Sequence, residues 1–320
     1  KYAHFSDLYK DANYPDTLSL EYYVLPENLS AAKKQFQQVK PMMECYYHLF
    51  GEYPFVKDGY KLVETSYLGM EHQSAVAYGN HFKNGYLGVD LSGSDAELDY
   101  IIIHESAHEW WGNSITTNDI ADMWVHEGFT DYAETLFTSY YYGNDAGEDY
   151  VTGLRANIEN ERTIIGPYGV NREGSGDMYD KGANMIHMIR LIMNDDSAFR
   201  KLLIGLNTDF RHRTVSSAQV EKYISEKSGI DFTPIYNQYL RTTTVPVLAC
   251  HYKGRKLFFK WENTVDGFNM PLKVTLNNKD TRWIYPVSSK KKLRLPFKIK
   301  EVKVDRGFYI TTRNDSVTPH

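Results

Sequence analysis

The stretch HESAH, residues 104–108, lies within a segment from Glu97 to Asn113 whose residues predict a helix. Two histidines four positions apart share one helix face, with Cβ atoms about 6 Å apart, so both imidazoles can reach one zinc ion at ~2.0–2.1 Å. Glu105 lies beside His104 and can accept a proton from a metal-activated water. A surface helix that carries two unrelated histidines would show the same residues, so this alternative stays open.

A second predicted helix, from Met123 to Tyr142, contains WVHEGF at residues 124–129. Its Glu127 follows His108 by 19 positions, across a short linker. Two helices joined by a reversal can bring this carboxylate to the histidine face, and three protein ligands with an open fourth position are typical of catalytic zinc. Glu134, two helical turns further on, is predicted to hydrogen-bond the ring N–H of a ligand histidine. A solvated helix carboxylate is the alternative for Glu134.

Two further motifs are GME at residues 69–71 and YDKGA at residues 179–183. Together with HESAHEWWGN at 104–113 and WVHEGF, they occur in the order found in the M1 zinc aminopeptidases, a branch of the gluzincins. The sequence resembles this family over about 115 residues, from Gly69 to Ala183. The combination is far more specific than any one motif.

The resemblance implies one Zn²⁺ per chain, held by His104, His108 and Glu127. It also implies that Tyr179 stabilises the oxyanion of the tetrahedral intermediate, which a phenolic O–H can do by donating a hydrogen bond. Glu71 would bind the free α-amino group of the substrate as a charge-assisted pair. The alternatives are an ordinary tyrosine among 26 and an exposed strand carboxylate.

The sequence departs from the family pattern at three positions. Leu68 and His72 stand where the exopeptidase motif usually has Gly and Asn, and we expect the exchange at 72 to change the hydrogen bonds beside Glu71. His126 stands where Asn is usual. It points some 100° away from Glu127 around the helix, so we predict that it is not a ligand.

The rest of the chain predicts an α+β fold with two domains. Helices dominate up to about Thr242, including one from Leu29 to Phe50 that is interrupted by Pro41, and Ser94-Asp95 has the composition of a helix N-cap. Seven short segments of period two follow Pro246 and predict a small antiparallel sandwich. We therefore expect a thermolysin-like catalytic domain at 1–244, as the resemblance implies, and a β-sandwich domain at 245–320. The early strands are predicted at Leu18–Val24, Tyr60–Thr65, Ser74–Ala77 and Tyr86–Val89.

Composition narrows the class of protein. The chain has 320 residues, 42% hydrophobic and 24% charged, with a formal net charge of -5. This excludes a disordered or collagen-like chain and gives no overall basic footprint for nucleic acid. The basic run at 289–300 is interpreted as a solvated strand face with edge lysines; a polyanion site is the alternative. No apolar run approaches the ~20 residues of a membrane span, and each cysteine, Cys45 and Cys250, is expected to be a buried thiol.

The predicted function is zinc-dependent hydrolysis of the N-terminal peptide bond of peptides with a free N-terminus. A zinc endopeptidase of the same clan and a catalytically silent peptide-binding module are the alternatives. The resemblance implies a large preceding β-rich domain of the same protein as a further partner, because residues 1–25 are too short to form it. The compartment is left open, with a preference for an extracytoplasmic protein.

Overall fold

The computed structural model describes residues 1–314, and its fold is α+β. The first part combines a five-stranded sheet with two helices. Its strand order is β1-β2-β3-β5-β4, in which β2, β3 and β5 are parallel and the two edge strands pair antiparallel with their neighbours. These elements are β1 (Ala3–Tyr9), β2 (Leu18–Val24), α1 (Leu29–Gln35), α2 (Val39–Phe50), β3 (Tyr60–Glu64), β4 (Gly69–Met70) and β5 (Val76–Tyr78).

Seven helices and a small two-stranded parallel sheet follow. Their central member is α4, which is buried from Trp124 to Thr138 and packs against α3, α5 and α6. A helix that is buried on every side must lie inside the domain, and α4 is the axis of this part. The elements are α3 (Tyr100–Ala107), β6 (Ile115–Thr117), α4 (Trp124–Tyr142), α5 (Asn144–Gly153), α6 (Asp180–Met193), α7 (Asp196–Asp209), β7 (Arg213–Val215), α8 (Ser217–Ser228) and α9 (Thr233–Arg241).

Several boundaries differ from the sequence expectations. The helix expected over Leu29–Phe50 is divided by a 3₁₀ turn at Phe36–Gln38, whereas Pro41 lies in the first turn of α2. A proline there costs little, because the first N–H groups of a helix have no partner within it. The strand expected at Tyr86–Val89 is a loop with one isolated bridge, and the edge strand β1 was not predicted.

The helix that carries HESAH is shorter than expected. It begins after Asp99, whose carboxylate accepts hydrogen bonds from the backbone N–H groups of Ile101 and Ile102. The expected cap at Ser94-Asp95 is therefore wrong. Asp99 is fully buried and also accepts from Tyr78 Oη, so sheet contacts as well as local sequence fix where the helix starts.

The last part contains two packed sheets of three and four strands. Their orders are β11-β10-β13 and β12-β9-β8-β14, and the pairing departs from the expected antiparallel pattern at one place, where β14 runs parallel to β8. Alternate residues of the interior strands β9 and β10 are buried between the sheets. The strands are β8 (Val247–Lys253), β9 (Lys256–Glu262), β10 (Leu272–Leu276), β11 (Asp280–Ile284), β12 (Lys291–Arg294), β13 (Val302–Val304) and β14 (Thr311–Asn314).

The helical part and the sheets contact each other directly. The Arg155 guanidinium donates to the carbonyl oxygens of Arg306 and Gly307 at 2.7 and 2.8 Å, and Tyr239 Oη donates to Tyr309 O at 2.7 Å. The division into domains at 1–244 and 245–320 stays a prediction, and residues 315–320 lie outside the described part.

Candidate metal centre

His104 and His108 are brought to the interior by the burial of α3. All of Ile101 to Ala107 is buried, and His108 occupies the position directly after the last helical residue. The two imidazole rings lie 5.0 Å apart between centroids, and both histidines are at most 4% exposed. A pair of buried, adjacent imidazoles needs a partner for each ring nitrogen.

Glu127 in the first turn of α4 faces both rings. Its Oε2 lies 3.5 Å from His104 Nε2 and 3.3 Å from His108 Nε2. This oxygen is buried and has no hydrogen bond of good geometry among residues 1–314. One ligand atom from each of the three residues lies within 4.8 Å of the others. The structure thus brings together the three residues predicted as metal ligands.

The opposite ring nitrogens have other partners. His104 Nδ1 is 2.6 Å from Glu134 Oε1, and His108 Nδ1 is 2.9 Å from the carbonyl oxygen of Trp111. A carboxylate and a carbonyl only accept, so each Nδ1 carries a proton, and in the neutral form of each imidazole Nε2 presents a lone pair towards Glu127. Two converging imidazole lone pairs and an unsatisfied carboxylate oxygen form a donor set that fits a divalent ion such as zinc.

Charges at the centre shift the carboxyl pKa values in different directions. Burial opposes ionisation of Glu127, but His108 and His104 in their protonated forms outweigh burial and hold the Glu127 pKa well below the usual range. Burial raises the pKa of Glu105, and the two histidines act against that shift. The two neighbouring carboxylates therefore differ: one is held ionised and the other is tuned towards proton exchange.

Glu105 and Glu71 lie side by side next to the histidines. Their carboxylate oxygens and a nitrogen of His108 are all within 4.8 Å of one another. Glu71 directly follows the edge strand β4, and a Cβ added at Gly69 would lie 2.8 Å from Glu105 Oε1. Glycine at position 69 lets the strand approach Glu105 closely.

Tyr179 and Glu134 also lie at the centre. The Tyr179 ring stacks on the His104 ring, with centroids 6.0 Å apart and planes at 25°. Burial raises the pKa of Tyr179, so its hydroxyl stays protonated and can donate a hydrogen bond. Glu134 is fully buried and additionally accepts from Tyr150 Oη, which excludes the alternative of a solvated carboxylate.

Two residues inside the quoted motif contribute contacts that sequence reasoning missed. Glu109 Oε1 accepts from the backbone N–H of Ser74 at 2.6 Å, and Asn113 Nδ2 donates to the carbonyl oxygen of Glu71 at 2.7 Å. The segment after α3 thus holds the loop that carries Glu71 at both ends. Their place within HESAHEWWGN was the available signal, but no spacing rule links them to residues 71–74.

The two histidines that depart from the family pattern have different surroundings. His126 is buried, and its Nε2 accepts from the backbone N–H of Thr117 at 2.9 Å. Burial lowers its pKa to about 4. It lies outside the metal-binding groups of the described residues, in agreement with its prediction. His72 is exposed beside Glu71.

The fold resembles that of a solved aminopeptidase. A crystal structure of Legionella pneumophila aminopeptidase A in complex with aspartic acid superposes with a TM-score of 0.75 at 15% identity, over 98% of this chain and 38% of that one. At this identity the likeness shows the fold. Among the helices of residues 1–314, none combines the length and apolar character that crossing a bilayer demands.

Sequence comparisons lead to the same family. Relatives include probable aminopeptidase 2 of Sulfurisphaera tokodaii (22% identical, 91% of this chain), leucyl aminopeptidase of Saccharolobus solfataricus (22%, 73%) and human endoplasmic reticulum aminopeptidase 1 (21%, 92%). The matches span 40%, 32% and 37% of the lengths of these relatives. The family model described as "Peptidase family M1 domain" matches residues 28–239, so the chain belongs to peptidase family M1.

Proposed function

We propose that the protein is a zinc-dependent aminopeptidase that hydrolyses the N-terminal peptide bond of peptides. The observation that carries the proposal is the convergence of His104 Nε2, His108 Nε2 and Glu127 Oε2, with both Nδ1 atoms already bonded. The names of the relatives support an aminopeptidase rather than another metal-dependent enzyme.

Three protein ligands are the number typical of a catalytic zinc. When bound, zinc supplies Lewis acidity, which polarises a carbonyl and lowers the pKa of a bound water towards ~7. Glu134 maintains the tautomer of His104, and the Trp111 carbonyl oxygen does the same for His108. The ring orientation is thereby fixed before any ion arrives.

The chain's own side chains account for the proton transfers. Glu105 accepts a proton from the attacking water and delivers it to the nitrogen of the leaving amine, which completes the exchange without net consumption of a base. The Tyr179 hydroxyl donates a hydrogen bond to the oxygen on which negative charge develops. Its position against the His104 ring supports this role.

The Glu71 carboxylate accepts hydrogen bonds from the α-ammonium group of the substrate and so fixes cleavage one residue from the N-terminus. A charge-assisted hydrogen bond in a partly buried site is strong and directional. Because Glu71 adjoins Glu105, an ammonium bound there holds the first peptide bond beside the base. Peptides with a free N-terminus are the proposed substrates.

The test is hydrolysis of leucine 4-nitroanilide by the full-length protein, against its N-acetylated form and a peptide with an internal cleavage site. We expect the free amine alone to be cut, with loss of activity in a zinc chelator and recovery on adding Zn²⁺. Cleavage of the blocked substrate would identify an endopeptidase. Binding of peptides without turnover would identify a silent peptide-binding module.

A further inference from the structure

The charge of the chain is divided very unevenly along its length. Residues 245–320 contain 16 lysines and arginines against 6 aspartates and glutamates, a formal net charge of +10. Residues 1–244 contain 20 against 35, a net charge of -15. The overall value of -5 conceals this separation, and such asymmetry is typical of a protein with a charged partner.

Six of the 16 lysines and arginines lie on the outer face of the four-stranded sheet. In β9, Leu257, Phe259 and Trp261 are buried, so the residues between them point outward. Strand register places Lys253 opposite Lys256 and Lys256 opposite Arg294. We call the following residues the basic sheet face: Lys253, Lys256, Lys260, Lys290, Lys292 and Arg294.

These charges are not balanced by acidic neighbours. Within residues 1–314, Lys260 is the one member of the basic sheet face that forms an ion pair, with Glu262 at 2.8 Å. Like charges directly opposite each other on paired strands destabilise a sheet. Protection of an exposed edge explains basic residues on β12, which is an edge strand, but not those on β8 and β9, which are interior strands.

A shallow hollow of about 240 Å³ opens on the same face. Lys260, Lys290, His251 and Ser288 contribute to its lining. Its floor includes the Phe258 ring, which stacks on His251 with centroids 4.6 Å apart and lies 5.2 Å from the Lys290 ammonium. Two ammonium groups and a hydroxyl around one hollow form a receptor for a phosphate group.

We propose that the basic sheet face binds a bilayer surface that contains anionic phospholipids, with one headgroup phosphate in the hollow. The face is broad and shallow, and five of its six cations are lysines. Lysine acts as a flexible point charge, which suits a fluid array of headgroups, whereas arginine favours fixed bidentate recognition. The strongly negative remainder of the chain is repelled by such a surface, so the protein is oriented with the sandwich towards the lipid.

A single-stranded nucleic acid fits this face less well. Proteins that bind such strands combine a basic groove with aromatic rings on which successive bases stack. Here Phe258 is the aromatic ring of β9 on this face, and its neighbours His251 and Lys290 already contact it. Binding to an oligonucleotide is therefore the outcome that would replace the proposal.

The experiment is sedimentation of the full-length protein with vesicles of phosphatidylcholine alone or with about one third phosphatidylglycerol. We expect binding to the anionic vesicles only, and its loss as salt is raised towards 1 M, where the screening length falls to about 3 Å. Lys256→Gln with Lys260→Gln is expected to lower the partition coefficient at least tenfold. Lys279→Gln with Lys303→Gln removes the same charge from exposed positions on the other sheet and is expected to leave binding unchanged.

All four substitutions are at positions remote from the metal centre, so peptidase activity and thermal midpoint verify that each variant is folded. Three results would each overturn the proposal: no binding to anionic vesicles at low salt, equal binding by both double variants, or binding to a single-stranded oligonucleotide with none to vesicles. Inorganic phosphate is added as a competitor. Displacement by millimolar phosphate alone would show a free-phosphate site instead of a membrane surface.

Discussion

Glu105, the proposed base, is a buried carboxylate whose neighbours determine its pKa. It is 8% exposed, lies beside Glu71 and His108, and burial raises its pKa. Glu105→Gln keeps the size of the side chain but cannot accept the proton. We expect kcat to fall by a factor of about 10²–10⁴ with zinc content unchanged, measured by metal analysis and nitroanilide hydrolysis.

Glu97→Gln is the matched control, because this carboxylate is exposed before α3 and should leave kcat unchanged. If Glu105→Gln turned over substrate at the rate of the unmodified protein, Glu105 could not be the base. Loss of zinc in this variant would instead assign Glu105 to metal binding.

The segment that follows α3 contacts Glu71, the proposed site for the substrate α-amino group. Asn113 Nδ2 donates to the Glu71 carbonyl oxygen, and one net hydrogen bond is worth about 1 kcal/mol. Asn113→Ala should therefore raise KM for a free-amine substrate roughly fivefold and leave kcat almost unchanged, because the bond orients the ground state and the transition state equally. Steady-state kinetics on leucine 4-nitroanilide measure both constants.

Asn13→Ala serves as the control, since Asn13 is exposed far from the centre in sequence and its side chain has no partner in the described structure. A kcat that fell together with kcat/KM would contradict a role in substrate placement. It would point to displacement of Glu105 or of the histidines.

The sequence predicted residues better than element boundaries. The proposed ligands His104 and His108 follow from fixed helical spacing, which local sequence determines, whereas Glu127 was predicted from the reversal between two helices and from the resemblance to the family. The start of α3 depends on Asp99, whose carboxylate is bound by Tyr78, Asn80 and Gln35 from other elements. Hydrogen bonds from residues of other elements leave no periodic pattern in the sequence around Asp99. For the same reason, the contacts of Glu109 and Asn113 with the Glu71 loop could not be predicted.

Zinc is expected to stabilise the whole fold, because its ligands come from α3 and α4, which only the folded chain brings together. An ion that binds the folded state alone adds about 2.7 kcal/mol when its free concentration is 100 times Kd. Removing zinc with a chelator should lower the thermal midpoint by several degrees, and adding Zn²⁺ should restore it. His108→Ala should abolish this response. An unchanged thermal midpoint in chelator, in protein shown to have lost its zinc, would contradict the expected stabilisation of the fold by zinc.

Acid should destabilise the molecule through His187, which lies on α6 away from the metal centre. Burial lowers its pKa to about 3, with Arg190 and Arg155 adding to the effect. An unfolded histidine has a pKa near 6.5, so below that pH the unfolded chain binds a proton at this residue that the folded protein does not bind. The stability associated with neutral His187 is present above pH 6.5 and is lost as pH falls towards 3.

The direction of this pH effect on stability is tested by urea unfolding of the unmodified protein and of His187→Gln at the same zinc concentration. Burial raises the pKa values of Glu109 and Asp180 to about 7, so these carboxyls add stability as the pH falls. Both proteins contain them, and their contributions cancel when the two free energies of unfolding are subtracted. Each unit of pKa corresponds to about 1.4 kcal/mol. The stability advantage of the unmodified protein over His187→Gln should therefore shrink by about 3 kcal/mol between pH 7 and pH 4. A stability advantage that stayed constant between pH 7 and pH 4 would mean that His187 accepts the proton in the folded state.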